Sequence, residues 1–191
     1  MSTETIISYF IAGAIVLASI YLGISTKLLK YGSTNPKAKY SFSHVQLMWW
    51  TVIISCSYII LFTQSDDFNL FNNSTLILLG IGSVTSAVAS TIDISQKQTG
   101  KSLHQDDDSK GFFNDILSDE NGISMHRLQA VIFNALFGIV FIIIMWTEKK
   151  FPDFENTQLA LMGLSSGSYL ALKTNENKAS NAVTPPTPSS S

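Results

Sequence analysis

The chain is poor in charge, in cysteine and in recognisable catalytic motifs, and each shortage excludes a class of protein. Charged residues make up 14% of its 191 residues, against about 25% in typical soluble domains. Cys56 is the only cysteine, so an internal disulfide is impossible. The formal net charge is −2, which does not suit nucleic-acid binding because that function calls for a basic patch. We therefore expect no nucleic-acid partner.

Residues that carry chemistry are also missing. The sequence has no Gly-rich phosphate loop, no H-E-x-x-H and no Cys/His metal cluster. No carboxylate lies in the middle of an apolar segment, although ion-coupled transporters generally need an ionisable group there. We therefore expect neither catalysis nor coupled transport, and no cofactor or metal ion.

Apolar sequence is abundant, since 46% of the residues are hydrophobic. Asp, Glu, Lys and Arg are absent from five intervals, each close to the ~20 residues that cross a bilayer. Five such helices predict an all-α, polytopic membrane helix bundle, because a soluble chain would lack amphipathic helices to cover them. The fifth span is the weakest because Gly and Ser interrupt it, and a re-entrant helix is the alternative there. The predicted spans are 5–25, 44–63, 74–92, 127–147 and 157–173.

Two stretches of the chain resemble each other at a constant offset. Residues 41–91 align with 124–174 without a gap and share 12 of 51 residues. The shared residues include paired Ser, Gln, Asn and Gly, which apolar composition alone does not explain. The predicted architecture is therefore one N-terminal helix followed by two tandem two-helix repeats.

This architecture divides the chain into six parts. The paired serines at the repeat starts, Ser41 and Ser124, are predicted helix N-caps. The last part has too few apolar residues to fold. The parts are an N-terminal transmembrane helix (1–26), a cytoplasmic loop (27–43), a first membrane hairpin (44–92), a cytoplasmic connecting segment (93–123), a second hairpin (124–174) and a disordered tail (175–191).

The distribution of basic residues predicts the orientation of the bundle. Ten of the twelve Lys and Arg residues fall on one side if the chain crosses five times. By the positive-inside rule that side is the cytoplasm, which puts the N-terminus outside and the C-terminus inside. The apolar start lacks a basic region before it and is not a cleavable signal peptide. A compact chain of this kind suits a bacterial inner membrane.

Paired polar residues are the first candidates for a functional site. Gln46 matches Gln129 in the repeat, and Ser83 matches Ser166. A glutamine in hydrocarbon is costly without a hydrogen-bond partner. The four residues therefore either line a polar path or make contacts between helices. We expect both glutamines to face the protein interior.

Small residues recur every fourth position in two of the predicted spans. Such stripes let helix backbones approach closely, which predicts helix packing and self-association, with a narrow pore as the alternative. The residues are Gly82, Ser86, Ser90, Gly163, Gly167 and Ala171.

Two further groups are assigned to surfaces. Boundary or lipid contacts are expected for charged and aromatic side chains that can snorkel or anchor. Within 93–123, a short helix would present an apolar face to the membrane surface or to a cytoplasmic protein partner. The boundary group is His44, Arg127, Trp49, Trp50 and Trp146, and the helix group is Phe112, Phe113, Ile116 and Leu117.

These expectations favour a non-enzymatic protein of the lipid bilayer: an oligomeric scaffold, anchor or sensor that serves a cytoplasmic partner. The alternative is a homo-oligomeric channel or passive pore, formed between protomers because five short spans leave little room for an internal conduit.

Overall fold

The computed structural model describes residues 3–30, 35, 37–65, 70–98, 107–119 and 121–174, and the tail predicted to be disordered lies outside these ranges. The described chain is mostly helical. In chain order its elements are α1 (Thr3–Ser25), α2 (Phe42–Ser65), α3 (Asn73–Gln98), α4 (Phe112–Leu117), β1 (Ser118–Asp119), β2 (Gly122–Ile123), α5 (Met125–Glu148) and α6 (Asn156–Lys173).

Four of the helices are long and apolar enough to cross a membrane: α1, α2, α3 and α5. They contain 23 to 26 residues each, or roughly 34–39 Å at 1.5 Å per residue, which exceeds the ~30 Å hydrocarbon core. These four agree with a multi-pass membrane protein. Helix α6 has 18 residues, roughly 27 Å, and is more polar, so its crossing stays a prediction.

The helix bounds follow the offset of the sequence repeat. Helices α2 and α5 begin 83 residues apart and end 83 residues apart, and α3 and α6 also begin 83 residues apart. Ser41 and Ser124 precede α2 and α5. The amide of His44 donates to Ser41 Oγ at 3.5 Å, whereas Ser124 occupies the N-cap of α5 without a side-chain cap bond.

Helix α2 is the centre of the bundle, because it packs against α1, α3 and α5. Helix α6 packs against α3 and α5, while α1 lies at the edge and packs mainly on α2. The outer face of α1 is apolar and exposed, for example at Phe10 and Leu17. The main core joins aromatic and aliphatic side chains from α2, α3, α5 and α6, among them Trp50, Leu78 and Phe141.

The two ends of the bundle differ in chemistry. At one end, which we call the basic end, α1, α3 and α6 finish and α2 and α5 begin, so the lysines of their connections gather there. At the opposite end, hydrogen bonds join the α2–α3 connection and the start of α3 to the α5–α6 connection. Asn72 Nδ2 donates to Pro152 O at 2.7 Å, and Ser74 Oγ donates to Asp153 Oδ1 at 2.7 Å.

Gly138 of α5 lies against the indole ring of Trp49 on α2. A Cβ atom at Gly138 would lie 2.5 Å from Trp49 Nε1, and that indole N–H donates to Asn134 O at 3.1 Å. Glycine is therefore required on α5 so that Trp49 can lie against the helix.

We expect Gly138→Ala to lower the free energy of unfolding by about 1–3 kcal/mol, because the added methyl would displace Trp49 from a packed position. The matched control is Gly80→Ala, since a Cβ there meets nothing within 4 Å and alanine favours a helix over glycine. Thermal unfolding in detergent, followed by tryptophan fluorescence, compares the two variants. Equal stability of both would contradict the packing described here.

Candidate functional site: a buried charge cluster beneath a cap

An ion pair is buried where α3 and α6 end. Lys173 Nζ lies 3.0 Å from Asp93 Oδ1, and the two side chains are 0% and 13% exposed. Gln96, one turn further along α3, donates from Nε2 to Lys173 O at 3.5 Å. Helix α3 runs to Gln98, six residues past the predicted end of its span at 92, and so carries Asp93 as part of the helix.

A second cation is buried beside this pair. Arg127, in the first turn of α5, is 4% exposed, and its guanidinium carbon lies 5.3 Å from the centre of the Tyr169 ring on α6. Tyr169 also packs edge-on against Phe42, the first residue of α2, at 4.9 Å. This corrects the expected boundary position of Arg127: the aromatic ring lets the guanidinium pack inside the chain by a cation–π contact.

His44 completes the cluster from α2. Its imidazole lies near the backbone of Lys30 and Leu28 and near the charges of Asp93 and Lys173. It is partly buried, so His44 faces the connections of the basic end as well as the cluster. We call Asp93, Lys173, Arg127, Tyr169 and His44 the charge cluster.

The charge cluster joins the ends of four helices at one point. Removing ions from water costs several kcal/mol per ion, and a buried pair repays this only with good geometry. Such a pair is weak evidence for stability, but it specifies one arrangement of the helices that supply it. Ionisable residues inside a membrane bundle are also functional candidates by default.

The connections of the basic end form a cap over this cluster. We define the cap as the described residues within 27–41 and 107–123. Its centre is Asp115 of α4, which is 3% exposed. Asp115 accepts hydrogen bonds from Tyr40 N at 3.2 Å, Lys110 N at 3.0 Å and the Ser109 hydroxyl. One carboxylate therefore ties the loop before α2 to the segment before α5.

Further contacts join the same two segments. Lys39 Nζ lies 3.2 Å from Asp107 Oδ2, and Asn35 Nδ2 donates to Asp108 Oδ1 at 2.9 Å. Ser109 N donates to Lys37 O at 2.8 Å. Asp107 and Asp108 of the connecting segment are thus bonded to residues of the first loop.

The cap is joined to the helix ends as well. Ser41 N donates to Leu29 O at 2.7 Å, beside the start of α2. Ser124 N donates to Leu117 O at 2.9 Å, beside the start of α5. The cap therefore cannot move freely with respect to the helices that begin and end beneath it.

Only two of the four residues of the predicted polar path meet within one chain. Gln46 is 2% exposed and its Nε2 donates to Ser166 Oγ at 3.1 Å, so these two make a contact between α2 and α6. Gln129 and Ser83 are exposed on the outer surface. This corrects the expectation that both glutamines face inward.

The small-residue stripes of α3 and α6 also differ in burial. Gly82 lies 3.7 Å, measured from its ideal Cβ position, from the backbone of Leu47, and Ser86 is buried while Ser90 is half-buried. On α6, Gly167 and Ala171 are exposed and Gly163 is half-buried. A Cβ at Gly163 or Gly167 meets nothing within 4 Å, so this stripe does not pack within the protomer.

The tryptophans occupy two environments. Trp146 and Trp49 are 53% and 37% exposed, but Trp50 is fully buried. Trp50 Nε1 donates to Asn134 Oδ1 at 2.9 Å. This corrects the expected lipid contact of Trp50, because its N–H finds a buried acceptor on α5. Asn134 is itself a buried polar residue that the sequence reasoning did not single out.

Helix α4 forms where a short helix was predicted, and its apolar residues differ in exposure. Ile116 is buried and Leu117 is half-buried, whereas Phe112 and Phe113 are 37% and 72% exposed. The helix is therefore anchored inward through Ile116 and presents its phenylalanines outward.

The sequence reasoning missed the ion pair and Asp115. Asp93 and Lys173 immediately follow charge-free intervals, so the predicted boundaries make Asp93 the first residue after a span and Lys173 the last residue of one. Their positions near equivalent ends of the two repeats were the available signal, since both repeats should end at the same side. Within the described residues, no group of His, Cys, Asp or Glu could hold a metal ion.

We expect Asp93→Leu alone, or Lys173→Met alone, to lower the free energy of unfolding by about 3–5 kcal/mol, because each leaves an uncompensated charge in the interior. The double substitution should recover most of that loss. The matched control is Glu148→Gln, which removes one charge of an exposed ion pair with Lys150 at 2.9 Å and should leave stability nearly unchanged, because water screens exposed pairs. Reversible unfolding in detergent gives the four values. Additive single effects would contradict a paired role.

No similarity to known proteins accompanies this geometry. Neither a protein-family model nor a curated protein nor a solved structure matches the chain. The functional proposal therefore depends on the contacts within this chain.

Proposed function

We propose that this chain is a non-enzymatic integral membrane protein that acts as an oligomeric scaffold, anchor or sensor for a cytoplasmic partner. The observation that carries the proposal is the cap. Two connections far apart in sequence are bonded to each other through Asp115 and to the helix ends through Ser41 and Ser124. A change in helix packing would therefore change the surface that the cap offers to a partner.

The proposal includes five crossings, with α6 as the fifth. The start of α6 lies beside the start of α3, where Ser74 Oγ donates to Phe154 O at 3.1 Å. The end of α6 lies beside the end of α3, at the Lys173–Asp93 pair. Two helices that adjoin at both ends run side by side, and α3 is long enough to cross a membrane. Ser165 and Ser166 of α6 are buried within the bundle, so their hydroxyls need not meet lipid.

The proposed orientation has the N-terminus outside and the basic end in the cytoplasm of a bacterial cell. Lysines of the cap and the end of α6 gather at one end of the bundle, which is the arrangement that the positive-inside rule expects. The tandem two-helix repeat is supported by helix bounds that recur at the offset of 83 residues.

Self-association is proposed through α6. Its outward face carries Gly167 and Ala171, both exposed within one chain, with Leu164 beside them at 69% exposed. Small residues let a second helix approach closely in lipid. Such a face suits a neighbouring protomer, because a Cβ atom at Gly167 would meet nothing within 4 Å among the described residues.

We expect Gly167→Leu to shift the protein toward monomer while leaving the protomer folded, since the leucine meets nothing inside the chain but would separate two copies. The matched control is Gly80→Leu on α3, which is also exposed with nothing within 4 Å. Single-molecule photobleaching in liposomes counts the protomers, and thermal unfolding checks the fold. An unchanged count for Gly167→Leu would remove α6 as the contact.

The proposed sensor function predicts that a distance within the cap depends on the surrounding bilayer. Spin labels at Lys37→Cys and Asn121→Cys, both exposed positions, are placed in a Cys56→Ser background. We expect their distance to change between thin and thick bilayers, because helix tilt responds to bilayer thickness. Asp115→Asn should abolish the response by uncoupling the two cap segments, whereas Asp119→Asn, whose carboxylate serves the turn at Asn121, should keep it.

Two results would count against the sensor. One is a distance that does not respond to bilayer thickness in the parent protein. The other is ion flux through the protein in liposomes that Ser83→Leu/Ser166→Leu abolishes with assembly retained, which would favour the pore instead.

A further inference from the structure

A cavity of about 310 Å³ opens between α2, α4 and α5 at the basic end. Its walls include Val45 and Trp49 of α2, Phe113 and Ile116 of α4, and Val131 and Ala135 of α5. We call this cavity the groove. Its volume is at the lower end of the ~300–1,000 Å³ typical of small-molecule sites.

The chemistry of the groove is almost wholly apolar. Two polar residues belong to its wall. Gln46 Nε2 donates to Ser166 on α6, and Gln46 Oε1 is buried and makes no hydrogen bond among the described residues. Asn134 donates from Nδ2 to Ala130 O at 2.8 Å and accepts the indole N–H of Trp50 at Oδ1. A sugar, a nucleotide or a charged headgroup would bury several polar groups against this apolar wall at a large cost, so the groove favours a hydrocarbon occupant.

The depth of the groove determines which hydrocarbon can reach it. On the proposed topology, the lining residues of α2 and α5 lie within about three helical turns of their cytoplasmic ends, or roughly 5–15 Å into the bilayer. The groove is continuous with an exposed apolar surface on α5, where Ile132 and Leu136 are 53% and 50% exposed. That surface meets lipid tails of the cytoplasmic leaflet.

A lipid tail fits the groove better than a helix does. A helix with its side chains is about 10–12 Å across, and a cavity of about 310 Å³ cannot take two turns of it. A single acyl chain is narrow, flexible and already present at this depth. Phe113 at the rim is 72% exposed and would lie along such a chain.

We propose that the groove binds one acyl chain of a phospholipid from the cytoplasmic leaflet and that its occupancy sets the position of α4. Helix α4 forms one wall of the groove through Phe112, Phe113 and Ile116. The same helix holds the loop before α2 through Asp115 and Tyr40. The regulatory half of this inference rests on the proposed sensor function, because it names the ligand that the sensor reads; the binding half requires only the membrane location.

Photolabelling tests the binding half. The full-length protein is placed in nanodiscs that contain a phosphatidylglycerol with a diazirine in one acyl chain, and labelled peptides are mapped by mass spectrometry. We expect labelling of α4 that saturates and is displaced by unlabelled phosphatidylglycerol. Labelling at Phe10 and Leu17 on the outer face of α1 should rise in proportion to the probe, since that face only meets bulk lipid. Labelling of α4 without saturation would overturn a bound chain.

A filled groove provides the second comparison. Ala135→Trp should reduce α4 labelling by about tenfold, a change of about 1.4 kcal/mol in binding, and should leave α1 labelling unchanged. Ala87→Trp, on the exposed face of α3, is the control that should change neither. Undiminished α4 labelling in a folded Ala135→Trp protein, or a cross-link from α4 to a second copy in place of lipid, would overturn the proposal.

The spin-label pair in the cap separates the two proposals. Saturable α4 labelling, with a cap distance that shifts when Ala135→Trp fills the groove, supports both halves. Saturable labelling with an unmoved cap retains the acyl-chain site and overturns the regulatory half. A cap that responds to bilayer thickness without any α4 labelling retains the sensor and overturns the groove.

Discussion

The ion pair between Lys173 and Asp93 is the constraint on which the basic end depends. A fully buried ammonium group is tolerated only beside a partner, so the last turn of α6 cannot slide along α3 without a large energetic cost. With α6 held there, Tyr169 lies beneath Arg127 at the start of α5 and against Phe42 at the start of α2. The ion pair and the ring of Tyr169 thus bring together the ends of α3 and α6 and the starts of α2 and α5. It also gives a reason for the length of α3, which must remain helical beyond its apolar part to carry Asp93 to its partner.

A second constraint is that α1 has no counterpart in the second repeat. It covers one side of α2, so α2 is surrounded while α5 keeps an outward face. Residues that match in sequence also occupy different environments: Gln46 is buried and Gln129 is exposed, and Ser166 is buried while Ser83 is exposed. The two hairpins therefore contribute one polar contact, Gln46 with Ser166, in place of two equivalent ones.

A feature of this structure was predictable from the sequence only where a physical rule links it to local sequence. The positions of the long helices were predictable, because apolar segments of about twenty residues satisfy their backbone groups only as helices. The position of Asp93 inside α3 was not predictable. A span defined by the absence of charged residues ends, by definition, before the first charged residue. Trp50 was not distinguishable from Trp49, because α2 is apolar around most of its circumference and carries no periodic signal for its buried side. Asp115 needed the three-dimensional structure, since its partner Tyr40 is 75 residues away.

The contrast between the two ends suggests why a signal would be read at the cap. At the opposite end the two connections are locked by the bonds of Asn72 and Ser74 and by stacking of Phe71 on Phe151 at 5.5 Å. Helices α2 and α5 extend from that end to the basic end, so on the proposed function a tilt of one against the other would be larger at the basic end, where the groove opens beside them. Such a tilt would act on α4, which forms the third wall of the groove. Because α4 is bonded through Asp115 to the loop before α2, the displacement would reach both segments of the cap and would change the surface that the cap offers to a partner.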